Sequence, residues 1–159
     1  LRAHAVDLVA DVRTIPRSRR NPQFAEERLR AALPRDGIAY ERIPELGGLR
    51  RGLGAHSPNT AWLNPSFRGY ADHMLTDEFA RGLARLLALA RGRRVAVMCA
   101  EAVPWRCHRS LIADALVARG VPVFHIMSAR TASPHRVTAF AKVEGSRVTY
   151  PAAAGFKAS

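Results

Sequence analysis

The densest group of reactive side chains lies in the stretch MCAEAVPWRCHRS, where Cys99, Glu101, Arg106, Cys107, His108 and Arg109 fall close together. Cys107 stands at or near a helix start, CHRSLIADAL, beside three basic or imidazole groups. A positive helix end and neighbouring cations lower a thiol's pKa and free its thiolate, the form that attacks electrophiles. Nucleophilic thiol chemistry also needs a nearby base, and His108 is of the right type. The opposing reading is a small thiol packed under the helix, because free cysteine is commonly buried. That reading is stronger still for Cys99, which ends an apolar run.

Three other chemistries fit the same stretch less well. Arg106 follows Cys99 by seven positions, close to the cysteine-to-arginine cradle in which phosphatases and sulfur-transfer enzymes hold an oxyanion. The interval is one residue longer than the phosphatase pattern, and Pro104 removes an amide donor. Cys99, Glu101, Cys107 and His108 are suitable metal donors, but adjacent Cys and His seldom ligate one ion and no short-spaced cysteine pair accompanies them. We therefore assign no metal and no cofactor. A disulfide between the two cysteines is the redox-switch reading.

Glu101 can serve as a general acid or base, or can pair with Arg13 or Arg109; the ion pair is the simpler expectation. His125 and His135 read as structural, although His135 follows a strand end and can reach the site. Trp105 either stacks a ring or covers the core.

These groups need a scaffold. Val95–Met98 is a short apolar run suited to a central strand buried on both faces. Val6–Val12 is a second strand, with Asp11 and Arg13 at its C-terminal end, followed by a basic lip carrying Arg17, Ser18, Arg19 and Arg20. Asn21-Pro22 reads as a helix start, with Phe24, Leu29 and Ala32 facing inward. Ile38–Ile43 is the next strand, and the turn PELGG brings Gly47 and Gly48 past its end, where glycines allow positive φ or close approach. Residues 49–65 read as a long loop, of the kind that is usually functional or mobile. Residues 66–74 read as a short helix presenting Phe67 and Tyr70. Thr76 caps the next helix, whose apolar face is Phe79, Leu83, Leu86, Leu87 and Ala90. Val121–Ile126 reads as a further buried strand, and residues 136–150 as a hairpin around Glu144-Gly145.

Strands alternating with helices imply an α/β domain: a mostly parallel sheet in three layers, helices on both faces, Rossmann-like, with a C-terminal hairpin. In such a sheet Asp11 and Arg13, the Gly47-Gly48 turn and the Cys99 loop emerge from one edge, where open α/β sheets bind ligands.

Residues 1–159 suit one domain, and nearly half are apolar, which excludes a disordered chain. No apolar run approaches the roughly 20 residues of a membrane span. Two cysteines are too few for a disulfide scaffold, so the expected compartment is the cytoplasm. The formal charge is +12, and all but Lys142 and Lys157 of the 25 basic residues are arginine. That field attracts phosphates, nucleic acid or acidic metabolites. A GC-rich genome enriches arginine as well, and these arginines are scattered.

Taken together, DVRTIPRSRRNPQF, PELGG, MCAEAVPWRCHRS and the later HI and HRVT segments resemble the domain-of-unknown-function 488 family. The resemblance implies a compact α/β domain of bacterial type. It marks Asp11, Arg13, Pro16, Ser18, Gly47, Gly48, Cys99, Glu101, Cys107, His108 and Arg109 as motif positions. Family members begin with an extra strand bearing a glycine-histidine-serine segment, so an upstream strand and helix are expected to precede this chain. The resulting expectation is a small enzyme for an anionic or nucleotide-like substrate. In it Glu101, Cys107 and His108 are catalytic, and Asp11, Arg13, Ser18, Gly47, Gly48, Cys99 and Arg109 bind substrate, with Arg13 and Arg109 as the clamp. The alternative is a nucleic-acid-binding module without turnover.

Overall fold

The computed structural model describes residues 1–153; residues 154–159 of the expected 1–159 domain lie outside the described residues. Three short parallel strands carry the molecule: β1 (Leu8–Asp11), β2 (Ala39–Arg42) and β3 (Val95–Met98), in the order β2-β1-β3. Leu8 faces Ala39 on one side and Val95 on the other, and Asp11 faces Arg42 and Met98. The centre is therefore β1, whose four residues are all buried, and not β3, whose four are each half-buried. An edge strand keeps one side open to solvent, which corrects the expectation that Val95–Met98 is central and buried on both faces.

Side chains alternate across a strand, and β1 uses both faces. Leu8 and Ala10 join a large apolar cluster with Tyr70, Phe79, Leu83, Leu111 and Ile112. Val9 joins a smaller one with Leu29, Ile38 and Tyr40. The smaller cluster is served by α1 (Glu26–Ala32), which follows a single turn at Pro22–Phe24 instead of starting at Asn21. Asn21 makes no side-chain cap; its N–H donates to Ser18 Oγ. Only Leu29 of the expected inward trio is buried, because the interruption at Ala25 rotates Phe24 outward to 49% exposure and leaves Ala32 exposed as well.

The larger cluster is supplied by α2 (Pro65–His73), α3 (Asp77–Leu89) and α4 (Arg109–Val117). Asn64 caps α2 by accepting from the Ser66 N–H, and Thr76 caps α3 by accepting from the Phe79 N–H. The long loop before α2 is anchored from within by Asp72, whose carboxylate accepts from the Leu53 N–H, Ser57 Oγ and Asn59 Nδ2.

Beyond α4 the expected buried strand is absent from the parallel sheet. Instead β4 (Phe124–Ile126) pairs antiparallel with β5 (Ala132–Pro134), and Phe124 is 59% exposed. Proline at 122 lacks the N–H that a central ladder requires, and the apolar residues here alternate between half-buried and exposed. A second antiparallel pair, β6 (Lys142–Glu144) and β7 (Arg147–Thr149), sets Glu144 opposite Arg147.

The segment leading into and out of that pair is fastened to α4 by Asp114. This fully buried carboxylate accepts from Tyr150 Oη, Thr138 Oγ1, the Thr138 N–H and His135 Nε2. Substituting Asp114→Asn keeps the shape but offers an amide where hydroxyl donors point. We expect a loss of about 1–3 kcal/mol in urea unfolding, with earlier proteolysis after residue 135.

Candidate functional site

The parallel register puts the C-terminal ends of β1, β2 and β3 side by side, so the segments that follow them meet. From β1 come Asp11, Val12 and Arg13. Asp11 is fully buried and accepts from the Arg13 backbone N–H, from Arg13 Nε at 2.9 Å, from Arg13 Nη2, and from Tyr40 Oη at 2.6 Å. Arg13 Nη1 donates to the Phe24 carbonyl. The carboxylate's hydrogen bonds hold the guanidinium charged, and burial raises the Tyr40 phenol above its ordinary value. Arg13 is only 6% exposed. The arginine expected to clamp an anion is paired with the buried carboxylate that ends β1.

From β3 comes the loop 99–108. A single turn at Pro104–Arg106 folds it back, and Arg109 Nη2 closes it by donating to the Glu101 carbonyl. This return brings the two sulfurs and one imidazole together: Cys99 Sγ, Cys107 Sγ and a His108 ring nitrogen lie within 4.8 Å of one another. Cys107 Sγ accepts from the Arg109 backbone N–H and from Arg109 Nε, each at 3.4 Å. Cys99 Sγ accepts from the Glu101 N–H at 3.2 Å. His108 Nδ1 stands 3.7 Å from Cys107 Sγ, while Nε2 is 3.2 Å from the Val12 carbonyl. A carbonyl only accepts, so Nε2 carries a proton, and Nδ1 is the ring nitrogen turned toward the sulfur.

The hydrogen bond from Cys99 holds the Cys107 thiol well below its ordinary value. Burial opposes that shift, and His108 and the Arg109 N–H reinforce it. Cys99 is pushed the other way, first by giving its hydrogen bond to Cys107 and then by burial.

From β2 comes the glycine turn. Gly47 has a φ of −61°, so neither glycine is needed for a left-handed backbone. Close approach is the reason: a Cβ on Gly48 would lie 2.5 Å from His108 Nδ1, and one on Gly47 would lie 2.8 Å from Thr14 Oγ1. Tyr70 holds another side of the His108 ring, with centroids 4.8 Å apart.

A cavity of about 360 Å³ opens over this cluster. Six of the expected site residues line it: Arg13, Gly48, Cys99, Glu101, Cys107 and His108. Asp11, Gly47 and Arg109 lie behind the lining as supports, and Ser18 is occupied in the turn at Asn21. A model of the family described as Domain of unknown function DUF488 matches residues 1–116. The chain belongs to the DUF488 family. Neither a curated protein nor a solved structure matches it. Every cavity-lining residue of this DUF488 chain falls inside the matched segment, whereas β4 to β7 follow it.

Sequence reasoning missed the cavity wall supplied by α2. Ser66, Phe67 and Tyr70 face the cleft, as do Ile15 and Leu49 from the flanking loops. The sequence predicts a short helix presenting Phe67 and Tyr70 but not what they face. Arg106, weighed from the sequence as the arginine of a cysteine-to-arginine cradle but left out of the expected site, is exposed and lines the cavity. The expected ion pair of Glu101 does not form among the described residues: Arg109 meets its backbone carbonyl, and the side chain is exposed. His125 and His135 lie off the cavity. His135 Nδ1 is 2.9 Å from His125 Nε2, and its Nε2 donates to Asp114. Burial, followed by the neighbouring imidazole, lowers the His125 pKa.

Proposed function

We propose that this DUF488 protein is a small enzyme that attacks an anionic substrate with the Cys107 thiolate. One observation carries the reading. Cys107 is among the residues lining the cavity, and its Sγ accepts two N–H groups of Arg109 and stands 3.7 Å from Nδ1 of His108. His108 takes the thiol proton, the sulfur bonds to the substrate's electrophilic atom, and the imidazolium returns the proton to the departing group. Arg109 holds the thiolate and the exposed Arg106 offers its guanidinium to the anion. Glu101, without an ion-pair partner among the described residues, handles a proton during release of the enzyme-bound product by water.

The cavity volume falls in the range of small-molecule sites, roughly 300–1,000 Å³, and its mixed apolar and cationic lining suits an organic anion or a mononucleotide. Nucleic acid is the second reading, favoured by Trp105, 65% exposed beside Arg106. The reading takes the described residues as one domain, a three-layer Rossmann-like arrangement supported by apolar clusters on both faces of β1. It also takes the setting to be a reducing cytoplasm, which keeps both thiols free. No helix among the described residues is long and apolar enough to cross a membrane.

Two alkylating reagents of similar size and opposite character test the proposal. Iodoacetate is an anion and iodoacetamide is neutral. Ordinary thiolates prefer the neutral reagent, whereas Cys107 is expected to prefer iodoacetate by about tenfold, since 1.4 kcal/mol of attraction suffices. Arg106→Ala should erase that preference and leave iodoacetamide reactivity intact. Equal preference in wild type and Arg106→Ala contradicts the anion site.

A further inference from the structure

We infer that Cys99, Cys107 and His108 form a binding site for a thiophilic divalent cation, zinc foremost, and that the bound ion masks the Cys107 nucleophile. The inference shares the cavity with the reading above and deepens it by naming a second ligand of the same floor.

Geometry carries it. Two sulfurs and an imidazole nitrogen lie within 4.8 Å of one another, drawn from the end of β3 and the start of α4. With Zn–S near 2.3 Å and Zn–N near 2.0 Å, a tetrahedral ion sets sulfur and nitrogen about 3.5 Å apart. Cys107 Sγ and His108 Nδ1 are 3.7 Å apart. Adjacent residues rarely reach one ion; here they do because His108 presents Nδ1, the nitrogen nearer its own backbone.

The groups around the three ligands are those that metal sites use to orient donors. Ligating histidines give their other N–H to a carbonyl or carboxylate, which sets the tautomer. His108 Nε2 does this to the Val12 carbonyl, and Gly48 and Tyr70 bound the ring. Each sulfur accepts the backbone N–H two residues ahead, Cys99 from Glu101 and Cys107 from Arg109, so both are met by donors suited to anionic sulfur. Two thiolates and a neutral imidazole balance a divalent charge. The fourth position of such a three-ligand set is open in catalytic zinc sites, and all three ligand residues line the cavity. Glu101, a candidate ligand from composition, contributes its N–H to Cys99 in place of its carboxylate.

Cobalt(II) titration of the reduced 159-residue chain reads the site directly. The expected result is one equivalent per chain, with a thiolate-to-cobalt charge-transfer band and the intense visible absorption of tetrahedral cobalt. Cys99→Ser and His108→Ala, each checked for native circular dichroism, should weaken binding by at least the roughly 10–100-fold that loss of a supporting group costs. Weak octahedral absorption in wild type, or a charge-transfer band unchanged in both folded variants, overturns the proposal. If a variant fails to fold, wild-type protein alone decides. Saturating zinc should slow iodoacetamide modification of Cys107 at least tenfold, and an unchanged rate overturns the site. Metal-free alkylation tests the thiolate reading separately, so the two proposals fail on different measurements.

Discussion

Replacing Asp11 by alanine is expected to cost about 3–5 kcal/mol of folding stability, the effect of breaking a buried ion pair from one side. The carboxylate is completely buried at the end of the central strand and accepts from three nitrogens of Arg13 and from the Tyr40 hydroxyl. Its removal strands a guanidinium that is itself 6% exposed. Domains of this kind are stable by only about 5–15 kcal/mol, so the variant should melt many degrees lower. The double variant Asp11→Ala with Arg13→Met should recover part of the loss, because it removes the stranded charge as well. Urea unfolding of the wild type, both single variants and the double variant measures this. A single variant within 1 kcal/mol of wild type contradicts the assignment of Arg13 as an internal partner and revives it as an anion clamp.

Gly48→Ala is the second large effect, and it is local. The new methyl would sit 2.5 Å from His108 Nδ1 and 2.7 Å from Cε1. The ring cannot slide freely, since the tilted Tyr70 ring packs against it and Nε2 is tied to the Val12 carbonyl. It must tilt, moving Nδ1 off Cys107. A misplacement of about 1 Å in a reacting pair costs on the order of 100-fold in rate. Crowding of this size costs about 1–3 kcal/mol in stability. Cys107 alkylation should therefore fall far more than stability does. An unchanged alkylation rate would show that His108 does not govern the sulfur.

Parts of this site were legible from the residues alone. Parallel strands bring their C-terminal ends to one edge, so Asp11, the Gly47-Gly48 turn and Cys99 were expected together, and they are neighbours. The roles were harder to read. Arg13 was read as an anion clamp because the sequence does not show that Asp11, also bound by Tyr40 29 residues away on another strand, would turn to hold it. An eight-residue interval does not reveal that two sulfurs come within 4.8 Å; the turn at Pro104–Arg106 and the bond from Arg109 to the Glu101 carbonyl bring them there. Val121–Ile126 misled for a different reason. Its apolar composition suits a buried strand, but burial depends on a partner sheet, and β4 found β5 instead of β3. The tyrosine wall of α2 was visible as a helix face and silent as to what it enclosed.

Mass mapping of native protein treated with limiting iodoacetate at neutral pH tests the central claim most directly. The carboxymethyl group should appear on Cys107 ahead of Cys99, and added inorganic phosphate should slow its appearance by occupying the cavity. Modification of Cys99 first, or of both sulfurs only after unfolding and without any effect of phosphate, would contradict a reactive thiolate in an anion-binding pocket.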